Sequence, residues 1–358
     1  MLAAFAALAI ILALVDPQPL ADYRHWLRVP TLAGLLGLLI AIQGIRDSGL
    51  IQRLAAMLAA RMHSMRSLGL LLICITAILS MVLTNDVSLF LLVPLTITLA
   101  GICKLPLMRM VILEALAVNA GSALSPIGNP QNLLLWQHAG ISFMAFVWTM
   151  LPVVMVMLGL VLILTWFWLP RGRVDLDHSK IERNSISVSL AALSMLALLA
   201  MILLMEAGHA VWGALLLALS FALLRRRTLL EIDWLLLATF AVIFLGLGHF
   251  AELPLVQHAL ERLDFTHPLT IYIGGIVAAQ LISNVPATVL LLDRVPDTMA
   301  LAVAVNVGGY GAAVGSLANL IALRLARQPN SLHQLHRVSV PFLLICAPLV
   351  YLVMRWLA

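Results

Sequence analysis

Eleven apolar segments follow one another along this chain, at about 1–15, 29–44, 67–100, 107–138, 144–169, 187–205, 210–224, 230–248, 267–292, 298–324 and 338–357. A helix that crosses a lipid bilayer needs about 20 predominantly apolar residues. Segments of this kind, repeated with short loops between them, restrict the chain to an all-α polytopic membrane protein. Composition leaves no soluble alternative. Hydrophobic residues make up 63% of the chain, charged residues 10%, and mean hydropathy is +1.08. Soluble domains carry roughly 25% charge. The net charge of +5 does not point to nucleic acid, because the basic residues sit in short loops and not on one extended surface.

The anomalous segments carry the information. In 67–100 the stretch "VLTNDVSLFLLVP" places Thr84, Asn85 and Asp86 inside a run without other charge. Arg66 precedes the segment, and Lys104 and Arg109 follow it. Residues 68–83 and 87–100 form arms of 16 and 14 residues, too short to cross a core about 30 Å thick at about 1.5 Å per residue. The spacing predicts a re-entrant hairpin with a polar tip, entered from the cytoplasm. Segment 267–292 repeats the design with "SNVPAT" (283–288) at its tip.

Charge orients the chain. With 45–67, 104–109, 170–185, 225–229 and 324–337 inside, 16 of the 21 Lys and Arg face the cytoplasm. The reading is about nine transmembrane helices, two re-entrant hairpins and two discontinuous helices, with the N-terminus cytoplasmic and the C-terminus outside. Residues 44–67 predict an amphipathic helix in the interface plane, and 249–264 occupy the corresponding place before the second hairpin. The start, 1–15, reads as an uncleaved span, since no Lys or Arg precedes it. Cys74, Cys103 and Cys346 have no metal-type spacing, and no disulfide is expected.

"ALAVNAGSALSPIGNPQNLL" (115–134) aligns with "AVAVNVGGYGAAVGSLANLI" (302–321) at a constant offset of 187. Asn119 meets Asn306, Gly121 meets Gly308, Gly128 meets Gly315, Asn132 meets Asn319 and Leu133 meets Leu320. A polar hairpin tip precedes each, with Asn85 and Asn284 in corresponding places. The expected organisation is an N-terminal repeat over 1–169, a cytoplasmic loop and linking span over 170–209, and an inverted C-terminal repeat over 210–358. Inverted repeats with broken helices are a frequent build of secondary transporters.

Segments 107–138 and 298–324 should each stop and restart. Gly121, Pro126, Gly128 and Pro130 interrupt the first, with Asn129 as the new cap; Gly308, Gly309, Gly311 and Gly315 interrupt the second, with Ser316 as the cap. Helix N-termini gathered at membrane depth favour an anion, while carbonyls and Asn, Ser and Thr oxygens coordinate a cation. The candidate substrate site is Thr84, Asn85, Ser88, Asn119, Ser125, Asn129, Asn132, Ser283, Asn284, Thr288, Asn306, Ser316 and Asn319. The candidate coupling-ion site is Asp86, Asn85, Gly128, Asn284 and Gly315. Each such residue could also cap or pack a helix. Asp86 carries more weight, because a carboxylate at the centre of a membrane helix costs about 2.5–3.5 kcal/mol. It either caps a helix starting at Val87, binds a coupling cation, or takes a proton. Glu114, five residues past Arg109, is expected in an ion pair near the interface. His25, His63, His178, His249, His258, His333 and His336 are placed in loops, which argues against a histidine relay.

"TNDVSLFLLVPL", "NAGSALSPIGNPQN", "SNVPATVLLL" and "GSLANLIAL" resemble the ion transporter superfamily. It includes arsenite permeases, D-type sodium/proton antiporters, citrate transporters and divalent-anion:sodium symporters. Over nearly the whole chain the likeness is to small YbiR-type bacterial inner-membrane proteins. The resemblance implies scaffold and transport domains, opposed hairpins, elevator-like alternating access and a homodimer in the bacterial inner membrane. It implies a small inorganic or carboxylic anion as substrate. The chain departs from the Ser-Asn-Thr tips of the divalent-anion symporters: its first tip is Thr84-Asn85-Asp86 and its second Ser283-Asn284-Val285-Pro286.

Three functions compete: an ion-coupled transporter of a small anion or oxyacid, a sodium/proton antiporter using Asp86, and a passive channel. The first two use Na⁺ or H⁺ as coupling ion, and none needs an organic cofactor. No HExxH or nucleophile–histidine pair suggests an enzyme.

Overall fold

The computed structural model describes residues 2–62, 64–172, 186–262 and 264–357. The polar loop 170–185 lies outside the described residues from 173 onward, as does His178. All regular elements among the described residues are helices. The first half of the chain forms α1 (Leu2–Val15), α2 (Leu20–Trp26), α3 (Val29–Asp47), α4 (Leu50–Arg61), α5 (Met65–Val82), α6 (Asn85–Cys103), α7 (Leu107–Ser122), α8 (Pro130–Ala139) and α9 (Phe143–Trp168). The second forms α10 (Val188–Glu206), α11 (Ala210–Leu224), α12 (Arg226–Glu231), α13 (Trp234–Glu252), α14 (Pro254–Glu261), α15 (Pro268–Ile282), α16 (Asn284–Leu291), α17 (Thr298–Val307), α18 (Leu317–Ala326) and α19 (Ser331–Leu357).

By length and composition, six helical stretches can cross a membrane: Leu20–Asp47, α5, α6, α9, Val188–Met205 and Ser331–Trp356. Six shorter apolar helices accompany them. Their outer faces expose large apolar side chains such as Phe167, Trp212, Leu223 and Trp356. In water such a surface would aggregate, whereas lipid covers it without cost.

The helices gather into two compact units, each drawing on both halves of the sequence. One comprises Met1–Ala56 and Ile181–Gln257, the other Met57–Lys180 and His258–Ala358. The packing thus cuts across the sequential division at 169 and 210.

In the first unit α3 packs against α10, α11, α12 and α13. Gly34, Gly37 and Gly44 form one face of α3, and a Cβ there would strike Met205, Met201 and Ser194 of α10. Small residues allow that close approach, and the pairs run antiparallel. His249 lies inside α13 and not in a loop: it is 1% exposed, stacks on Trp26 at 4.8 Å and places Nε2 3.4 Å from Asp16 Oδ2. The hydropathy edge near 248 ends too early, because packing on α2 extends the helix to Glu252.

The second unit is built from two sets of five helices, α5–α9 and α15–α19. Several pairs packed in one set have a counterpart in the other: α5 on α7 and α15 on α17, α6 on α7 and α16 on α17, α7 on α9 and α17 on α19. The sets cross over in the same manner, with α6 on α18 and α16 on α8, and α7 on α18 and α17 on α8.

The first hairpin departs from the expected arm lengths. Its arms have 18 and 19 residues, not 16 and 14. Caps set these ends, and hydropathy does not see caps. Ser64 accepts from Ser67 N to start α5, and Lys104 at φ 54 closes α6. Both arms therefore have the length of a span, so the shortness argument for re-entry does not apply to them. The second hairpin is shorter, with arms of 15 and 8 residues.

Candidate functional site

The two long interrupted segments, 107–138 and 298–324, break where Gly and Pro cluster. Helix α7 ends at Ser122 and α8 begins at Pro130; α17 ends at Val307 and α18 begins at Leu317, with a short 3-10 turn at Ala313–Gly315 between them. Asn129 caps α8 by accepting from Asn132 N at 2.8 Å. Proline suits the first helical position because its missing N–H has no partner there anyway. Gly128 cannot be replaced without movement, since a Cβ would run into the Ser122 carbonyl.

The two breaks are joined by asparagines. Asn119 Nδ2 donates to Asn319 Oδ1 at 3.1 Å, and Asn306 Nδ2 donates to Asn132 Oδ1 at 2.6 Å. An offset of 187 converts one bond into the other. The same offset relates Asn119 Nδ2 to Ala115 O (2.9 Å) with Asn306 Nδ2 to Ala302 O (2.8 Å). It also relates the bonds by which Asn132 holds Ser122 O and Ser125 O to those by which Asn319 holds Gly309 O and Ala312 O. All four side chains are at most 3% exposed. The amide hydrogens of Asn132 and Asn319 are thus committed to carbonyls at the breaks, and those of Asn119 and Asn306 to their own helices and to the partner asparagines. Asn129 Nδ2 adds bonds to Asn306 Oδ1 (3.0 Å) and Ser122 Oγ (3.2 Å).

The hairpin tips attach to these breaks. Asn85 N donates to Gly128 O at 2.9 Å, and Ser125 Oγ to Met81 O at 2.5 Å. On the other side Gln280 Nε2 donates to Gly308 O and Tyr310 O, both at 2.6 Å, and Gln280 Oε1 accepts from Ala312 N. Ser88 and Thr288 turn their hydroxyls back on Thr84 O and Asn284 O, one helical turn before them. They are buried parts of their helices and not open donors.

Thr84, not Asp86, caps the first tip, and α6 starts at Asn85, not Val87. Asp86 stands in the first turn, where the helix dipole favours a negative charge. Its Oδ1 is buried and without a hydrogen-bond partner among the described residues. Ser316 occupies the expected cap position of α18, but its side chain makes no cap bond and Oγ is buried without a partner. Gln131, in the first turn of α8, is the third case: it is 1% exposed and Oε1 has no partner. The helices α6, α8 and α18 thus each carry an unpartnered buried oxygen at or beside the N-terminal end. The tip asparagines complete the picture. Asn85 Oδ1 accepts from Asp86 N and Asn284 Oδ1 from Val285 N, while neither Nδ2 makes a hydrogen bond among the described residues. Ser283 lies at φ 74 and ψ 154, a region almost reserved for glycine. Chemically, amide donors and helix N-termini suit an anion, and the Asp86 carboxylate suits a cation.

The sequence reading missed four contributors. Gln131 stands between Asn129 and Asn132 and carries no helix-breaking signal of its own. Gln280 is the single amide in an apolar helix three residues before a tip, a signal of the same kind as "TND". His336 Nε2 accepts from Ala313 N, and Ser339 Oγ from Gly311 N, both from within α19. Glu114 is corrected: it is fully buried in α7, bonded by Thr96 of α6, with Oε2 unpartnered. Among the described residues no ion pair joins it to Arg109, which instead donates to Trp168 O.

The chain matches a family model described as citrate transporter over residues 1–298. It is 39% identical over 324 residues to the inner membrane protein YbiR of Escherichia coli (strain K12), covering 90% of this chain and 87% of that protein. It is 29% identical over 331 residues to the uncharacterized transporter MJ0456 of Methanocaldococcus jannaschii, covering 89% and 86%. Over 140 residues it is 31% identical to the silicon efflux transporter LSI3 of Oryza sativa subsp. japonica, covering 37% and 29%.

Proposed function

The chain belongs to the citrate transporter family, and from that premise we propose an ion-coupled secondary active transporter of a small anion or oxyacid, working by elevator-like alternating access. It is a membrane transporter and not an enzyme. The observation that carries the finer reading is a set of unsatisfied groups at helix starts, each close in sequence to an asparagine of the site. Asp86 Oδ1, Gln131 Oε1 and Ser316 Oγ stand at the starts of α6, α8 and α18 without partners. Buried polar groups are normally satisfied, so three such groups at helix starts favour a polar ligand. In this reading the anion sits against the Nδ2 groups of Asn85 and Asn284 and the helix N-termini. A coupling Na⁺ or H⁺ sits on Asp86, whose charge it cancels before the site moves.

The lone charge of the site supports a second reading. The polar segments 84–88, 119–132, 283–288 and 306–319 contain Asp86 and no other charged residue. A purely negative site also suits a cation, which is the sodium/proton antiporter. We place the protein in a bacterial inner membrane with its N-terminus cytoplasmic, its halves inverted and its working form a homodimer.

Proteoliposomes with imposed Na⁺ or H⁺ gradients decide between the readings. Gradient-driven uptake of citrate, another carboxylate or silicic acid supports the first. Na⁺- or Li⁺-evoked proton movement with no solute added supports the second. Solute flux indifferent to both gradients overturns coupling altogether.

A further inference from the structure

A groove of about 790 Å³ lies between α9 and α19, away from the asparagine interlock. Its long walls are apolar: Leu160, Ile163 and Leu164 on one side, Val338, Pro341 and Ile345 on the other. One end is cationic. Arg109 and Arg337 line it there, together with Gln334 and Trp168. The distribution is one-directional, because α9 ends at Trp168 and α19 begins at Ser331. From that end the apolar walls run about 8 residues back along α9 and about 11 forward along α19, roughly 12–16 Å at 1.5 Å per residue. Both helices have the length and composition of membrane spans.

The same end marks the headgroup level of a bilayer. Arg66 stacks over Trp166 at 4.8 Å and donates to Leu169 O, and Arg109 lies 5.7 Å over the Trp168 ring. Tryptophan and arginine concentrate where hydrocarbon meets water. Arg109 is held by Trp168 O through one guanidinium nitrogen, which leaves its others available. Arg337 is exposed and makes no hydrogen bond or ion pair among the described residues. Two guanidiniums at the mouth of an apolar groove match a phosphate ester with attached acyl chains. A free phosphate would use only the mouth, and a neutral lipid would use only the walls.

We propose that the groove between α9 and α19 is a binding site for an anionic phospholipid, with its phosphate on Arg109 and Arg337 and an acyl chain along the apolar walls. Basic pockets between membrane helices hold acidic headgroups by this means. The site would fix lipid to α9 and α19, the two helices that follow α8 and α18 in the two sets.

The test is native mass spectrometry of the full chain in a non-ionic detergent. The chain is offered equimolar phosphatidylglycerol and phosphatidylcholine of the same acyl chains. Retention of phosphatidylglycerol over phosphatidylcholine is expected, about fivefold weaker after either Arg109→Gln or Arg337→Gln. Arg337→Lys, which keeps the charge, retains most of the preference. Arg355→Gln, at the far end of α19, changes nothing. The proposal is overturned by equal retention of the two lipids, or by a preference that either glutamine variant leaves intact. An equal loss with Arg355→Gln, or full competition by glycerol phosphate without acyl chains, also overturns it. So does a lipid-free dimer that Ile163→Arg dissociates, because the groove would then seat a second copy of the chain.

Discussion

At the first hairpin tip the chain turns through Thr84 in extended backbone, φ −71 and ψ 155, and Thr84 Oγ1 accepts from Val87 N. At the second it turns through Ser283 with φ 74 and ψ 154, and no side chain caps the helix that follows. The first tip carries Asp86; the second carries Val285 and Pro286 in its place. The first is tied to its break by the backbone of Asn85, the second through the side chain of Gln280 one turn earlier. Behind these unequal tips stand breaks whose bonds from Asn119, Asn132, Asn306 and Asn319 correspond in the main, while Asn129 has no counterpart at Ser316. The comparison separates two jobs. Holding unwound backbone at membrane depth has the same solution twice, because the physical problem is the same twice. Handling charge is assigned to one tip alone.

Substitution at Asp86 is the sharpest way to break that division. Asp86→Asn should lower gradient-driven transport by roughly 5- to 150-fold, the usual range of a coupling free energy between two ligands. Transport down the solute's own gradient should persist, because the amide preserves the shape of the site. Uptake with and without an imposed ion gradient measures both. If Asp86→Asn transports normally, the carboxylate has no coupling role and the asymmetry of the tips is structural.

The interlock is tested through stability. Asn119→Leu and Asn306→Leu each remove a cross-break bond and a bond to their own helix, and each leaves a buried carbonyl without its donor. A buried group left unsatisfied costs about 1–3 kcal/mol, so each variant should lose about 2–4 kcal/mol. The two losses should agree within about 1 kcal/mol, with the somewhat larger one at Asn306, which also accepts from Asn129. Unfolding in detergent gives the values. A variant at one position that behaves like wild type while the other collapses would show that the matched bonds are not energetically matched.

The breaks could be read in the sequence because their cause is local. Single Pro and Gly residues are carried inside helices here, as at Pro94, Pro152 and Gly37, but clusters of them end a helix, so 121–130 and 308–315 announce themselves against apolar neighbours. The offset of 187 then supplies the correspondence. The pairing of Asn119 with Asn319, rather than with Asn306 opposite it in the alignment, could not be read. It depends on α7 crossing α18 and α17 crossing α8, a tertiary fact with no local trace. Glu114 was misread for a geometric reason. Five residues separate it from Arg109, and at 3.6 residues per turn that places the two on different faces of α7. Arg109 reaches outward to Trp168, and Glu114 faces inward to Thr96. The left-handed backbone of Ser283 is equally silent in sequence, since serine carries no preference for it.

That backbone yields the smallest effect and the one whose sign is most informative. At the first tip Thr84→Ala removes a cap and should cost about 1 kcal/mol. At the second, Ser283→Gly removes a residue from a region where a side chain costs about 1–3 kcal/mol. Glycine gives back roughly 0.5–1 kcal/mol through the larger entropy of the unfolded chain. The hydroxyl lost makes only a 3.4 Å contact with Asn284 Oδ1, so little opposes the gain. The net expectation is a stabilisation of about 1 kcal/mol from the same type of change, deletion of a hydroxyl, that destabilises the first tip. Thermal unfolding of both variants in detergent reads the two signs. If the strain serves the site, Ser283→Gly should also weaken substrate binding while it raises stability. Opposite signs in stability together with a loss in affinity would mean that the second tip stores strain where the first stores charge. Equal signs would mean that Ser283 is held in place by contacts as ordinary as those of Thr84.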